Sequence, residues 1–399
     1  MTREEIYTQC VQEIAKTNCL LMELPTGFGK SKLSIDLCNY ILNSKKHKEE
    51  FSILLLVAKR VHKQTWKEEM EKWGGINSEG SKVTIRMECY ESLHKCEGYY
   101  DIILADEFHH IGSEQRLELL QYLQFGYFLG LSATIPKKLK FYFRYKYHSQ
   151  IVSTNLVEAI EEEVLPEPEI ILFPLQVENT RVCETIELNS KAPGPIVWGE
   201  YRDYWKLKKS KQHAMIRCTQ KQKLMDLDKT IEWYKTKSMS SPALKQTWLY
   251  MCGKRLEFLS DCKVPWVKMI LEKLKHHRTI TFCKTIEQAE KLGKWCIHSK
   301  NGKATQYYDE FNAKKIHHIT AVNILNENAN LVECKYGIFC NLSSSEIIQV
   351  QRTGRMLRHK KPVLLIPYYQ GTREQEIVEK SLEGFNKDFI KTIHSINEI

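Results

Sequence analysis

A chain of 399 residues is longer than one hydrophobic core usually serves, so two domains are expected. Its 42% hydrophobic content suits a globular protein, and no apolar run reaches the roughly 18 residues of a membrane span. A charged N-terminus (MTREEIYTQC) argues against a secretory leader, and thirteen cysteines with no C-x-x-C pair argue against a zinc knuckle; the expectation is a cytoplasmic protein with reduced thiols and a net charge of +10.

The first informative element is NCLLMEL, Asn18 to Leu24, short, apolar and bounded by polar residues, which reads as a strand. The loop ELPTGFGKS follows, Glu23 to Ser31, and then SKLSIDLCNYILN, whose apolar residues Leu33, Ile35, Leu37, Cys38, Ile41 and Leu42 predict a helix with one broad apolar face. A loop between a strand end and a helix N-terminus faces free N–H groups and the positive end of the helix dipole, which favours an anion. Gly27 and Gly29 let the backbone curl inward. Lys30 is placed to reach the β- and γ-phosphates of ATP and Ser31 to ligand Mg²⁺, so Pro25, Thr26, Gly27, Phe28, Gly29, Lys30 and Ser31 form the expected nucleotide loop. Taken alone, the stretch is also compatible with an ordinary turn; what comes later in the chain decides.

YYDIILADEFHHIG, Tyr99 to Gly112, is an apolar strand ending in two carboxylates. Asp106 is expected to be the metal's outer partner and Glu107 the base that orients the attacking water. YFLGLSATIPKK, Tyr127 to Lys138, is a third apolar strand, capped by Ser132-Ala133-Thr134, whose hydroxyls can hydrogen-bond to the Asp-Glu loop. Far along the chain, Gln351, Arg352, Gly354, Arg355 and Arg358 spell Q-R-x-G-R-x-x-R ahead of the apolar run VLLIPYY. Arg355 and Arg358 lie three apart and share one face of a predicted helix, which suits arginines delivered from a second domain onto the γ-phosphate.

As an ordered set, P-T-G-x-G-K-S, Asp-Glu-x-His, Ser-Ala-Thr and Q-R-x-G-R-x-x-R resemble superfamily 2 helicases and translocases, in particular the DEAH-like group that includes phage helicases and restriction-type motor subunits. The resemblance spans Thr2–Val177 and Val264–Ile399. It implies an α/β fold of two RecA-like P-loop domains, each a parallel sheet flanked by helices, with ATP and Mg²⁺ as cofactors. It implies catalytic roles for Lys30, Asp106, Glu107, Gln351, Arg355 and Arg358, and coupling roles for His109, Ser132, Thr134 and Arg352. SILLLVAKRVHKQTWKEEMEKW is similar to motif Ia, with Lys59 and Arg60 where the nucleic-acid backbone is gripped. ECYESLHK resembles the Ib/Ic region, RTITFCKTIEQAEKL motif IV and NILNENANL motif V, which puts Asn330 near nucleotide and nucleic acid. Gln9 resembles the adenine-reading glutamine. The chain departs from the family in Asn328 for Gly, Phe108 for Ala, and Ala58-Lys59 for Pro-Thr.

The expected layout is domain one over 1–137, domain two over 138–177 and 264–399, and a helical insertion over 178–263. The insertion carries 17 Lys and Arg against 10 Asp and Glu, a net of +7, together with Trp198, Tyr201, Tyr204, Trp205, Trp233, Tyr234, Trp248 and Tyr250. Basic residues among aromatics suit a polyanion with stackable bases, and Lys206, Lys208, Lys209 and Lys211 are the densest patch. A solvated face docking a protein partner is the competing reading of this segment. The function expected is an ATP-driven, monomeric motor on nucleic acid, with DNA favoured over RNA; a nucleic-acid clamp without strand separation shares every motif and is the alternative.

Overall fold

Continuous apolar runs become parallel strands buried on both faces in this protein, whose computed structural model describes residues 1–45, 48–239, 241–322, 331, 333–342, 359–383 and 385–399. One unit holds Met1–Pro168, and a second holds most of the chain from Glu169 onward.

The strands of the first unit are β1 (Cys19–Glu23), β2 (Glu50–Val57), β3 (Lys82–Cys89), β4 (Tyr99–Ala105), β5 (Gln124–Ser132) and β6 (Gln150–Ser153). They pair in the order β3-β2-β4-β5-β1-β6, every pair parallel. Leu20, Leu21, Leu54, Leu55, Ile103, Leu104 and Leu129 are fully buried in this sheet. Its helices are α1 (Arg3–Ile14), α2 (Lys30–Asn43), α3 (Arg60–Lys72), α4 (Glu114–Gln121), α5 (Lys137–Tyr147) and α6 (Leu156–Glu161). α1 opens with a capping box in which Thr2 Oγ1 accepts from Glu5 N and the Glu5 carboxylate accepts from Thr2 N. Because β5 lies between β4 and β1, the loops leaving these three strands share one edge of the sheet, the edge where α/β folds place their sites.

The first unit is larger than the sequence predicts. Residues 138–168 are expected in the second domain, but β6 pairs with β1, matching Leu20 to Gln150, and Phe143 of α5 packs against Phe108 and Phe128. Phe108, where the family has Ala, is fully buried and meets Phe143 edge-on at 4.7 Å. Room for it comes from Gly130: a Cβ there would stand 3.0 Å from the Phe108 ring and 2.8 Å from Leu21.

In the second unit β7 (Glu169–Leu175) joins the sheet as the sequence predicts. The segment beyond it starts with a small sheet of β8 (Glu184–Leu188), β9 (Val197–Glu200) and β10 (Ala214–Cys218), ordered β8-β10-β9, with α7 (Tyr204–Ser210) between the last two strands in sequence. Ile186, Leu188, Ala214, Ile216 and Cys218 form its core with Tyr204. This sheet is absent from the expectation of a purely helical insertion. Two long helices follow, α8 (Gln220–Ser238) and α9 (Pro242–Cys262), joined by an Arg255–Asp228 ion pair at 2.7 Å. α10 (Val264–Lys273) leads into β11 (Thr279–Phe282), β12 (Cys296–Ile297), β13 (His318–Ala321), β14 (Tyr336–Phe339), β15 (Val363–Tyr369) and β16 (Ile390–Thr392). The second sheet is all parallel, in the order β12-β13-β11-β14-β15-β7-β16.

Lys263, the residue between α9 and α10, is fully buried. Its ammonium lies 2.6 Å from the equally buried Glu374 carboxylate and donates to Pro367 O at 3.3 Å, while the other Glu374 oxygen accepts from Tyr369 N at 3.1 Å. Removing one partner of such a pair strands a buried charge and costs about 3–5 kcal/mol.

None of the thirteen cysteines forms a disulfide among the described residues. Among the described residues no helix is long and apolar enough to cross a membrane, and no cluster of three or more His, Cys, Asp or Glu is placed to hold a metal.

Candidate active site

β1 delivers the chain into its loop at Leu24, whose N–H bonds back to Ser132 O at 3.0 Å. Gly27 (φ 92°) and Gly29 (φ 100°) then take left-handed backbone that a side chain would strain. Gly29 is the N-cap of α2 and provides no side-chain cap, so the first N–H groups of that helix face outward for an anion. Lys30 Nζ donates to Leu24 O at 3.0 Å, which folds the ammonium over the loop. Thr26 Oγ1 is buried and has no hydrogen-bond partner among the described residues. Arg3 pins the loop from α1, its Nε donating to Phe28 O at 2.9 Å.

A recess of about 410 Å³ joins this loop to the carboxylates: Thr26, Gly27, Lys30 and Ser31 line it together with Asp106 and Glu107. A cation, a helix N-terminus, a hydroxyl and two carboxylates are the donor set that a magnesium–nucleotide needs, and the orphaned Thr26 hydroxyl awaits an acceptor or donor of that kind.

Asp106 is held on every side. Its N–H donates to Leu56 O at 2.9 Å and its carbonyl accepts from Tyr90 OH at 2.7 Å. Its Oδ1 accepts from Glu107 N at 3.0 Å and its Oδ2 from Trp66 Nε1 at 2.8 Å. Burial first, and then the Asp106 and Glu107 charges, push the Tyr90 phenol well above its ordinary pKa, so it stays a donor. Glu107 is 2% exposed and takes φ 48°, ψ 51°, a left-handed conformation that costs a non-glycine residue about 1–3 kcal/mol and gathers at functional sites.

His109 Nδ1 lies 3.0 Å from Ser132 Oγ and 3.5 Å from Glu107 Oε2. The single Ser132 hydroxyl proton goes to Thr134 O at 2.8 Å, so His109 Nδ1 is the donor to Ser132. The β5 cap and the Asp-Glu loop are therefore bonded as the sequence anticipates, with Thr134 entering through its backbone.

Glu23 is a residue that the sequence reading passes over. Its Oε1 accepts from Ile135 N at 2.7 Å and its other oxygen pairs with Lys140, which ties the loop strand to the segment after Ser132-Ala133-Thr134. Its only sequence signal is a carboxylate closing an apolar strand.

A second recess of about 630 Å³ adjoins the first and shares Arg3, Gly29, Lys32 and Trp73 with it. Its other walls include Tyr7, Phe28 and Leu33, planar and apolar surfaces suited to a base. Gln9, the expected adenine reader, is outside this lining; it is half-buried, and its Oε1 has no partner among the described residues. Lys59 and Arg60 are exposed at the start of α3. Lys206, Lys208, Lys209 and Lys211 are exposed on and just after α7, with Lys208 Nζ also donating to Tyr204 OH at 2.9 Å. Asn328, Asn330, Gln351, Arg352, Gly354, Arg355 and Arg358 lie outside the described residues.

The family model described as "Type III restriction enzyme, res subunit" matches residues 2–137, and "Helicase conserved C-terminal domain" matches residues 262–360. No curated protein matches the sequence. Among solved structures, the ATP-dependent Type ISP restriction-modification enzyme LlaBIII bound to DNA is similar over 99% of this chain and 31% of that chain, at 11% identity and a TM-score of 0.58. A variant of S. cerevisiae Dbp5 bound to RNA and ADP BeF3 is similar over 96% of this chain and 87% of that chain, at 11% identity and a TM-score of 0.54. At these identities the likeness to the solved structures is one of fold.

Proposed function

Because this chain is a superfamily 2 helicase or translocase, we propose that it is a nucleic-acid-stimulated ATPase that moves on or unwinds DNA. The observation that carries the reading is the single recess in which Thr26, Gly27, Lys30 and Ser31 meet Asp106 and Glu107.

Lys30 and the first N–H groups of α2 bind the phosphates, and Ser31 and Asp106 hold the metal. Magnesium, when bound, neutralises phosphate charge and polarises the group under attack. Glu107 accepts the proton of the attacking water, and its buried, strained position fixes the direction from which it does so. Arg3, Tyr7 and Trp73 receive the base. His109, through Ser132, links the carboxylate loop to the β5 cap and so to nucleic acid. Arg355 and Arg358, with Gln351, are the further groups of this reading, acting on the γ-phosphate as it is transferred. Lys59 and Arg60 grip the nucleic-acid backbone, joined by the basic α7 surface. The similar structures bound to DNA and to RNA support a nucleic-acid partner.

The test is the rate of ATP turnover with single-stranded DNA, duplex DNA, forked DNA and RNA, paired with a strand-displacement assay on the fork. Stimulation by DNA with displacement is the expected result. Stimulation by RNA alone overturns the DNA preference, and the absence of stimulation by any of the four overturns the motor.

A further inference from the structure

Trp66 lies in α3 and is 2% exposed, yet its one polar atom is not wasted on the core: Nε1 donates to Asp106 Oδ2 at 2.8 Å in a buried bond. The other carboxylate oxygen is occupied by Glu107 N at 3.0 Å, and the carbonyl of the same residue by Tyr90 OH at 2.7 Å. An indole is a donor with one fixed direction and no charge. It orients a carboxylate without cancelling the negative charge that a cation requires, where a lysine or arginine in its place would neutralise it.

We infer that Trp66 is a positioning residue that sets the Asp106 carboxylate for the nucleotide's magnesium. The inference rests on the ATPase reading above and names the residue that tunes that site. It has a mechanical corollary. Lys59 and Arg60 begin the helix that carries Trp66, six residues and about 9 Å further along its axis. A shift of that helix on a nucleic-acid backbone is therefore felt at the metal carboxylate through one hydrogen bond.

Trp66→Phe keeps the ring and removes the donor. In the full chain, the magnesium concentration for half-maximal ATP turnover is expected to rise by about 10-fold, the low end of what losing an outer partner of a metal ligand costs. A second readout is independent of turnover. Magnesium should tighten a fluorescent ADP analogue on the wild-type protein, and on Trp66→Phe only at about 10-fold higher magnesium, with equal affinity for both proteins in EDTA. Wild-type magnesium dependence in a folded Trp66→Phe overturns the positioning role and leaves the ATPase reading intact. A wild-type chain that binds no nucleotide, with or without magnesium, overturns the ATPase reading and this inference with it. The indole N–H resonances of the wild-type protein give the test a form that does not depend on Trp66→Phe folding. Magnesium–ADP should shift the same buried resonance that Asp106→Asn shifts, and no resonance common to the two overturns the inference.

Discussion

The edge of the first sheet around Lys30 and the surface around α7 carry the two proposed binding activities, and they are built in opposite ways. At the sheet edge the functional groups are buried: Asp106 and Glu107 are 6% and 2% exposed, and Glu107 has a backbone few residues tolerate. Each such group must be compensated, so backbone and side chains around it are fixed and few substitutions are open. At α7 the lysines are all exposed, Trp205 is 60% exposed, and Lys208 and Lys229 stand over its ring at 5.4 and 6.0 Å. Of these lysines Lys211 alone takes left-handed backbone, φ 58°, and it does so at an exposed helix end. A site that acts on a bond concentrates its cost in a few atoms; a surface that holds a polyanion spreads its gain over many weak contacts.

If that contrast holds, single substitutions should be drastic at the sheet edge and graded at α7. The largest effect is expected for Arg355→Ala and Arg358→Ala, each lowering turnover by about 10³–10⁵ with little change in ATP affinity, as for a transferred arginine; wild-type turnover in either shows that arginine to have another role. Next comes Glu107→Gln, which keeps the shape and loses the basicity, for a loss of about 10²–10⁴ in turnover. ATP should still bind in a nucleotide-binding assay, and loss of that binding would mean that Glu107 holds nucleotide and is not the base. Lys30→Ala removes one preorganised cation and should cost about 10²–10³ in turnover, measured in single-turnover experiments. Near-normal rates in the folded variant contradict the phosphate loop itself. The smallest effect per residue belongs to α7. Neutralising Lys206, Lys208, Lys209 and Lys211 together should weaken nucleic-acid binding on most sequences alike and flatten the salt dependence, by about 0.7–0.9 in slope for every phosphate that is no longer neutralised. An unchanged slope in a folded variant assigns this face to a protein partner.

The same contrast explains what could be read in advance. β1, β4, β5, β7 and β15 are apolar runs buried on both faces, and a continuous run is the clearest signal a strand can have. The loop after β1 and the carboxylates after β4 are legible because each sits at the end of such a run. β8 and β10 are five residues long and bury only one face, so ETIEL and AMIRC carry a brief alternation inside a charged stretch whose composition favours helix. β6 has four residues, QIVS, and its place beside β1 is a matter of pairing across the fold. The bond from Trp66 to Asp106 spans 40 positions and leaves no local pattern. The Phe108 departure becomes intelligible only beside Gly130, whose missing side chain makes room for the ring.

The buried Lys263–Glu374 pair has a consequence in leverage. It clamps the base of α9 to β15 and to the helix Arg373–Ser381, at one end of the 21 residues of α9. At the rise of an α-helix this is a beam about 31 Å long. A beam of that length needs a tilt of only about 6° at its foot to carry its tip about 3.4 Å, the rise of one nucleotide along a strand. Gearing of that ratio would turn a displacement too small to break a single hydrogen bond at Lys263 into one as long as a nucleotide at Pro242, for as long as the foot stays clamped.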